Sequence, residues 1–176
     1  MDGTKEKRSY KTMEKLSGAE HFLREMRENS NYMPFIWNLD AFLGQCRAIT
    51  LAMQSELHDY PGFTEWYEEQ RVWMKKDPQM RLMREFRNIA YHEGIVSRRL
   101  WVSHHPGQKP SIVIHWLFKE TDDLKKKLSE FPRAEVQKMF DTDILEICET
   151  CYNKLRPLLF DFLGKNNQAN EAGAVK

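Results

Sequence analysis

No stretch of about 18 consecutive apolar residues occurs in this 176-residue chain, so no membrane-spanning helix is expected. Cysteine is scarce as well. Cys46, Cys148 and Cys151 are too few, and odd in number, for a disulfide scaffold. The opening residues, MDGTKEKRSYK, are charged and hold no apolar signal-peptide core, which points to a cytoplasmic protein. Charge of either sign is not in excess: the formal net charge is +1, which by itself argues neither for nor against a nucleic-acid partner. No internal repeat is visible, and the length suits one domain with a substantial core.

What is present is unevenly placed. Between residues 71 and 99 stand Arg71, Lys75, Lys76, Arg81, Arg84, Arg87, Arg98 and Arg99, against only Asp77, Glu85 and Glu93. A local basic excess of this kind is an electrostatic footprint for a polyanion; a solvated face of uneven charge is the plainer alternative.

Apolar spacing then divides the chain. Met13, Leu16, Ala19, Phe22, Leu23 and Met26 mark a helix over 12–29. After Pro34, a good first helical residue, Phe35, Leu39, Phe42, Cys46, Ile49, Met53 and Leu57 recur at steps of three and four, the mark of a buried helix face. Pro61-Gly62 punctuates, and FTEWYEEQRVWMKK reads as a short helix burying Phe63, Trp66, Tyr67 and Trp73. Asp77-Pro78 is an N-cap followed by proline at the first helical position, and the helix it opens is expected to close on a left-handed Gly94.

The β-branched, aromatic runs IVSRRLWVSHH and SIVIHWLF on either side of PGQKP predict a hairpin over about 96–118. Helix returns with AEVQKMF and over 142–163, where Ile144, Cys148, Cys151, Leu155, Leu158 and Phe162 form a stripe that Pro157 is expected to kink. The expected fold is therefore mainly all-α: an up-and-down bundle over 12–164 with one inserted β-hairpin. Residues 1–11 form a flexible N-terminus and 165–176 a disordered tail in this reading.

The chemistry-bearing residues gather in MREFRNIAYHEG. Histidine changes charge near neutral pH, which makes His92 the first candidate for acid–base work. Asn88 is four residues earlier, about 40° away around the helix, and shares its face. Arg87 stands about 140° from His92. The two converge only if the last turn unwinds or if two copies of the helix meet, and the second option predicts a homodimer with a composite site.

The run RNIAYH resembles the Arg-(four to six residues)-His motif of the HEPN superfamily, the higher eukaryotes and prokaryotes nucleotide-binding domains, including the polar residue that often follows the arginine. LDAFLGQCRAITLAMQSEL followed by PGFTEWYEEQ also looks like uncharacterised bacterial members of that group. The resemblance implies a helical, usually dimeric domain, often a metal-independent endoribonuclease acting as a toxin, in phage defence or in stress responses. RNA and an antitoxin protein are then the expected partners, with no cofactor. In that scheme Arg87 clamps a phosphate, Asn88 positions, and His92 moves protons while the RNA 2′-hydroxyl attacks.

Asp40, Gly44 and Arg47 share the polar face of the second helix, so Arg47 or Asp40 is placed to brace the site or to form an exposed ion-pair face. Arg84 and Tyr91 neighbour the motif as candidates for phosphate contact and base stacking, or as structural residues. CETC has the spacing of a metal half-site, but both cysteines fall on the buried stripe and are assigned to the core. His104, His105 and His115 lack an acidic partner, so no metal site is expected there. Trp66, Trp73, Trp101 and Trp116 are assigned to core or interface. A non-catalytic dimeric helical module that binds a partner protein or nucleotide is the alternative the sequence leaves open.

Overall fold

Two long stripes of apolar residues at helical spacing demand partners, and the fold is organised by how they are met. The structure, a computed structural model, describes residues 10–29, 31–92, 98–104 and 112–173. Those residues form a mainly α-helical up-and-down bundle with one two-stranded antiparallel sheet inserted after the fourth helix.

Helix α1 (Tyr10–Glu28) buries Leu16, Ala19, Leu23 and Met26, and α2 (Tyr32–Leu57) buries Phe35, Leu39, Phe42, Ile49, Met53 and Leu57 against it. The pair is antiparallel, so the end of α2 reaches the start of α1. There Glu56 accepts hydrogen bonds from the Lys11 N–H (2.7 Å), the Thr12 N–H (2.9 Å) and the Thr12 hydroxyl (2.6 Å). One carboxylate thus satisfies donors that the first turn of any helix leaves unpaired. Met13, expected in the stripe, is exposed, and Cys46 is only partly covered.

Gly62 adopts a left-handed φ of 75° and lets the chain turn into α3 (Phe63–Lys76). Phe63 and Trp66 are buried there. Trp73, expected to be buried, is 37% exposed, because the packed side of the last turn passes to Met74. Asp77 closes α3 and opens α4 (Pro78–His92), accepting from the Met80 N–H at 2.9 Å. Phe86 of α4 stacks on Phe118 with ring centroids 3.6 Å apart.

Phe118 belongs to β2 (Ile112–Phe118), which pairs with β1 (Arg98–His104) from Arg98↔Phe118 to His104↔Ile112. Trp116 stacks against Phe35 and so fixes the hairpin base on α2. The Gly94 helix cap and His105 lie outside the described residues. A short helix that the apolar pattern does not signal, α5 (Asp122–Lys127), follows, capped by the Thr121 side chain accepting from the Leu124 N–H. Then come α6 (Arg133–Phe140) and α7 (Ile144–Gly173).

The α7 stripe is buried as expected, and Ile147, Tyr152 and Leu159 widen it. One helix runs through Pro157, whose neighbours Leu155, Leu158 and Leu159 are anchored in the core on both sides. One expectation fails here. Residues 165–173, read as a disordered tail, continue that helix: Gln168, Ala169, Glu171 and Ala172 are adequate helix formers, and extending an existing helix needs no new nucleus. Cys148 and Cys151 are core residues with free thiols.

Candidate functional site

Helix α4 is held firmly at its first turn. Asp77 Oδ1 caps it, and Asp77 Oδ2 lies 2.6 Å from Lys154 Nζ of α7, which also donates to Gln79 at 2.8 Å. The middle of the helix is tied by a residue that the sequence reading counted only as an opposing charge. Glu85 is 4% exposed and sits among Arg84 (2.8 Å), Arg81 (3.3 Å) and Lys127 (3.8 Å). The contact from Arg81 Nε lacks hydrogen-bond alignment, so it is an ion pair only. A buried carboxylate needs such partners, and in turn it fixes the direction of two arginines. Its flanking apolar neighbours Leu82 and Phe86 were the available signal that position 85 faces inward.

Beyond Glu85 the partners run out among the described residues. Arg87 is half-buried, has no carboxylate partner among the described residues, and its guanidinium lies 5.9 Å from the ring centroid of Tyr91. Asn88 is half-buried, while Tyr91 and His92 are exposed. The helix stays regular through His92. Within one protomer, therefore, Arg87 and His92 leave the helix about 140° apart, and its last turn is not unwound.

Arg87 does open onto something. A cavity of about 350 Å³ lies where α2, α3 and α4 meet, and Arg47, Arg71, Lys75, Arg81, Arg84 and Arg87 line it. No Asp or Glu is among its lining residues that the structure describes. Its floor includes Leu43, Met74, Met83 and Leu155. On one wall Gln54 donates to the Tyr67 oxygen (3.0 Å) and to the Thr50 carbonyl (3.0 Å), and burial pushes the Tyr67 phenol up from its ordinary value. Cys46 also lines the wall; burial, followed by proximity to Cys151, raises its thiol well above the usual range and keeps it protonated.

The expected residues thus divide. Arg47, Arg84 and Arg87 meet at the cavity, and Tyr91 approaches α2, since a Cβ placed on Gly44 would lie 3.5 Å from its hydroxyl. Asp40 goes elsewhere. Partial burial raises its carboxyl pKa, and the opposing charge is Arg98, at the base of the hairpin. Asn88 and His92 are not cavity residues. In the sequence Arg71, Lys75 and Arg81 stand out only as part of a basic run, because no spacing rule connects α3 to α4. Among the described residues no group of three or more His, Cys, Asp or Glu side chains could hold a metal ion, and no helix is long and apolar enough to cross a membrane.

Residues 12–105, which span α1 through α4 and β1, match the family described as Bacteriophage lambda protein ea47. The match covers more than half of the chain, which therefore belongs to that family. No curated protein and no solved structure matches it.

Proposed function

We propose that this member of the phage lambda ea47 family is a metal-independent endoribonuclease of HEPN type, assembled as a homodimer and serving as a toxin or a defence or stress factor. The observation that carries the reading is the state of the last two turns of α4. Arg87 lacks a carboxylate partner among the described residues and stands at the edge of a basic cavity, while His92 is exposed beside it in sequence. A fold that pairs Arg81 and Arg84 with a buried Glu85 leaves Arg87 available for a phosphate.

The reaction needs no bound metal to generate its nucleophile, because RNA carries one. His92 of one protomer takes the proton of a 2′-hydroxyl, whose oxygen attacks the adjacent phosphorus. The bond to the 5′-oxygen breaks, and that oxygen receives a proton from His92 of the second protomer. Each transfer is worth about 10²–10⁴-fold. Arg87 offsets charge growing on the non-bridging oxygens, and Asn88, on the His92 face, orients the ring or the phosphate. The products are a 2′,3′-cyclic phosphate and a free 5′-hydroxyl. Two helices α4 near a twofold axis bring the required residues together, which a single regular helix does not.

The test is cleavage of a labelled RNA by wild type and by His92→Ala, with and without chelator. Retained cleavage in chelator with a cyclic-phosphate end, lost in His92→Ala, is the expected result. Activity that disappears in chelator and returns with magnesium overturns the mechanism, and a monomer by light scattering at micromolar concentration removes the shared site.

A second reading has its own observation. Met33, Trp37 and Leu51 are exposed on the same face of α2 as Asp40, Gly44 and Arg47, and Trp37 is 62% exposed. An apolar edge of this kind suits a non-catalytic interaction module, with an antitoxin or another partner protein in contact. RNA bound alike by wild type and His92→Ala, and cut by neither, selects that reading.

A further inference from the structure

The cavity between α2, α3 and α4 combines two properties that together suit a ligand. Its mouth is cationic and its floor is apolar. Six cations surround about 350 Å³. Arg71 is engaged by Glu68 at 2.8 Å, and Arg81 and Arg84 by Glu85. Arg47, Lys75 and Arg87 have no carboxylate partner among the described residues, and the nearest polar contact of Arg47 is the Thr50 hydroxyl at 3.4 Å. Three like charges, one from each of three helices, repel one another around a low-dielectric wall. The arrangement raises the local potential for an anion and costs stability until one is present.

The floor argues against a bare inorganic ion. Leu43, Met74, Met83 and Leu155 offer apolar area, with the methionines able to adapt to a flat ring. Beside them, Thr50, Gln54 and Tyr67 supply hydroxyl and amide groups for hydrogen bonding. Ligand pockets begin near about 300 Å³ and mix an apolar lining with a few polar groups. This one stands at the small end of that range.

We propose that the cavity is a binding site for a nucleoside phosphate of mononucleotide size, its base seated on the apolar floor and its phosphate held by Arg47, Lys75 and Arg87. The nucleotide is either free in solution or one residue of an RNA strand, since the recognising chemistry is shared. The site does not depend on cleavage: Arg87 alone joins it to the reaction proposed above, and neither Asn88 nor His92 lines it.

Isothermal titration of the full chain with AMP, adenosine and inorganic phosphate tests the proposal. AMP should bind, and adenosine and phosphate should each bind at least about tenfold more weakly, a loss of about 1.4 kcal/mol. Lys75→Glu should weaken AMP about tenfold without lowering the melting temperature of the unliganded protein, since it relieves the repulsion, and Met74→Trp, which fills the floor, should abolish binding while the protein still melts cooperatively. Adding a short RNA separates the two sources: competition with AMP means that a strand residue occupies the site, and independent binding means that a free nucleotide does. His92→Ala should leave AMP affinity unchanged. No heat of binding at about 1 mM AMP, or AMP binding indifferent to both variants, overturns the proposal. RNA cleavage without AMP binding would sink the pocket and leave the nuclease standing, and AMP binding without cleavage would do the reverse.

Discussion

The two ends of helix α4 are built on opposite terms. At Asp77 the carboxylate is answered twice: it caps its own helix through one oxygen and holds Lys154 of α7 through the other. At the far end, Arg87 has only the Tyr91 ring as a charge partner among the described residues, and Tyr91 and His92 stand in solvent. Glu85 is the divide. It neutralises Arg81 and Arg84 on one side and is out of play for Arg87 on the other. Charge that is answered inside the protein holds the fold together, and charge left unanswered is free to meet a ligand. A composition count, which sees only a basic run, cannot separate the two.

The sharpest challenge to this division is Phe86→Ala. The ring is fully buried and stacked on Phe118, so it joins α4 to the hairpin, and its loss should cost about 4 kcal/mol in a denaturant titration. Glu85→Gln should cost about 2 kcal/mol, because it withdraws the charge that Arg81, Arg84 and Lys127 surround. Partial exposure of those cations limits the damage. Asp77→Ala, at the anchored end, should cost about 1.5 kcal/mol through the lost cap and the lost Lys154 contact.

Arg87→Ala and His92→Ala, at the free end, should each stay within about 0.5 kcal/mol of wild type. A cost above about 2 kcal/mol for either one would show that the free end is structural and erase the contrast.

The smallest effect belongs to Asp40. Its carboxyl is raised above 3.8 by burial, with Arg98 opposing the shift. A raised carboxylate binds its proton more tightly in the folded protein, so stability falls as pH rises from near 3.8 through the folded-state value. Asp40→Asn should therefore raise the melting temperature slightly at pH 7 and lose that advantage in acid. A destabilised variant at pH 7 would mean that Asp40 is answered by Arg98 as fully as Asp77 is by Lys154.

The long elements were legible because their signals are periodic. Phe35 to Leu57 and Ile144 to Phe162 repeat at helical steps, and a stripe of that length has no other way to be buried. Asp77-Pro78 marked the start of α4 to the residue. The failures share a cause as well. α5 is only six residues long, too short for a period to show. Trp73 has the composition of a core residue and is partly exposed, because the end of α3 packs through Met74 instead.

For the site, the sequence by itself determined the cluster on α4: which residues it holds, that Asn88 and His92 share a face, and that Arg87 diverges from them. These follow from chain-local geometry, which a regular helix imposes. Only the tertiary structure decided which cations are paired among the described residues, that Arg47 and Lys75 join Arg87 around one cavity, and that Asp40 turns to the hairpin instead. Those facts depend on three helices meeting, and on a buried Glu85 drawing two arginines inward. Pairing between charges distant in sequence leaves no period to read, because it is set by where the packed helices place them.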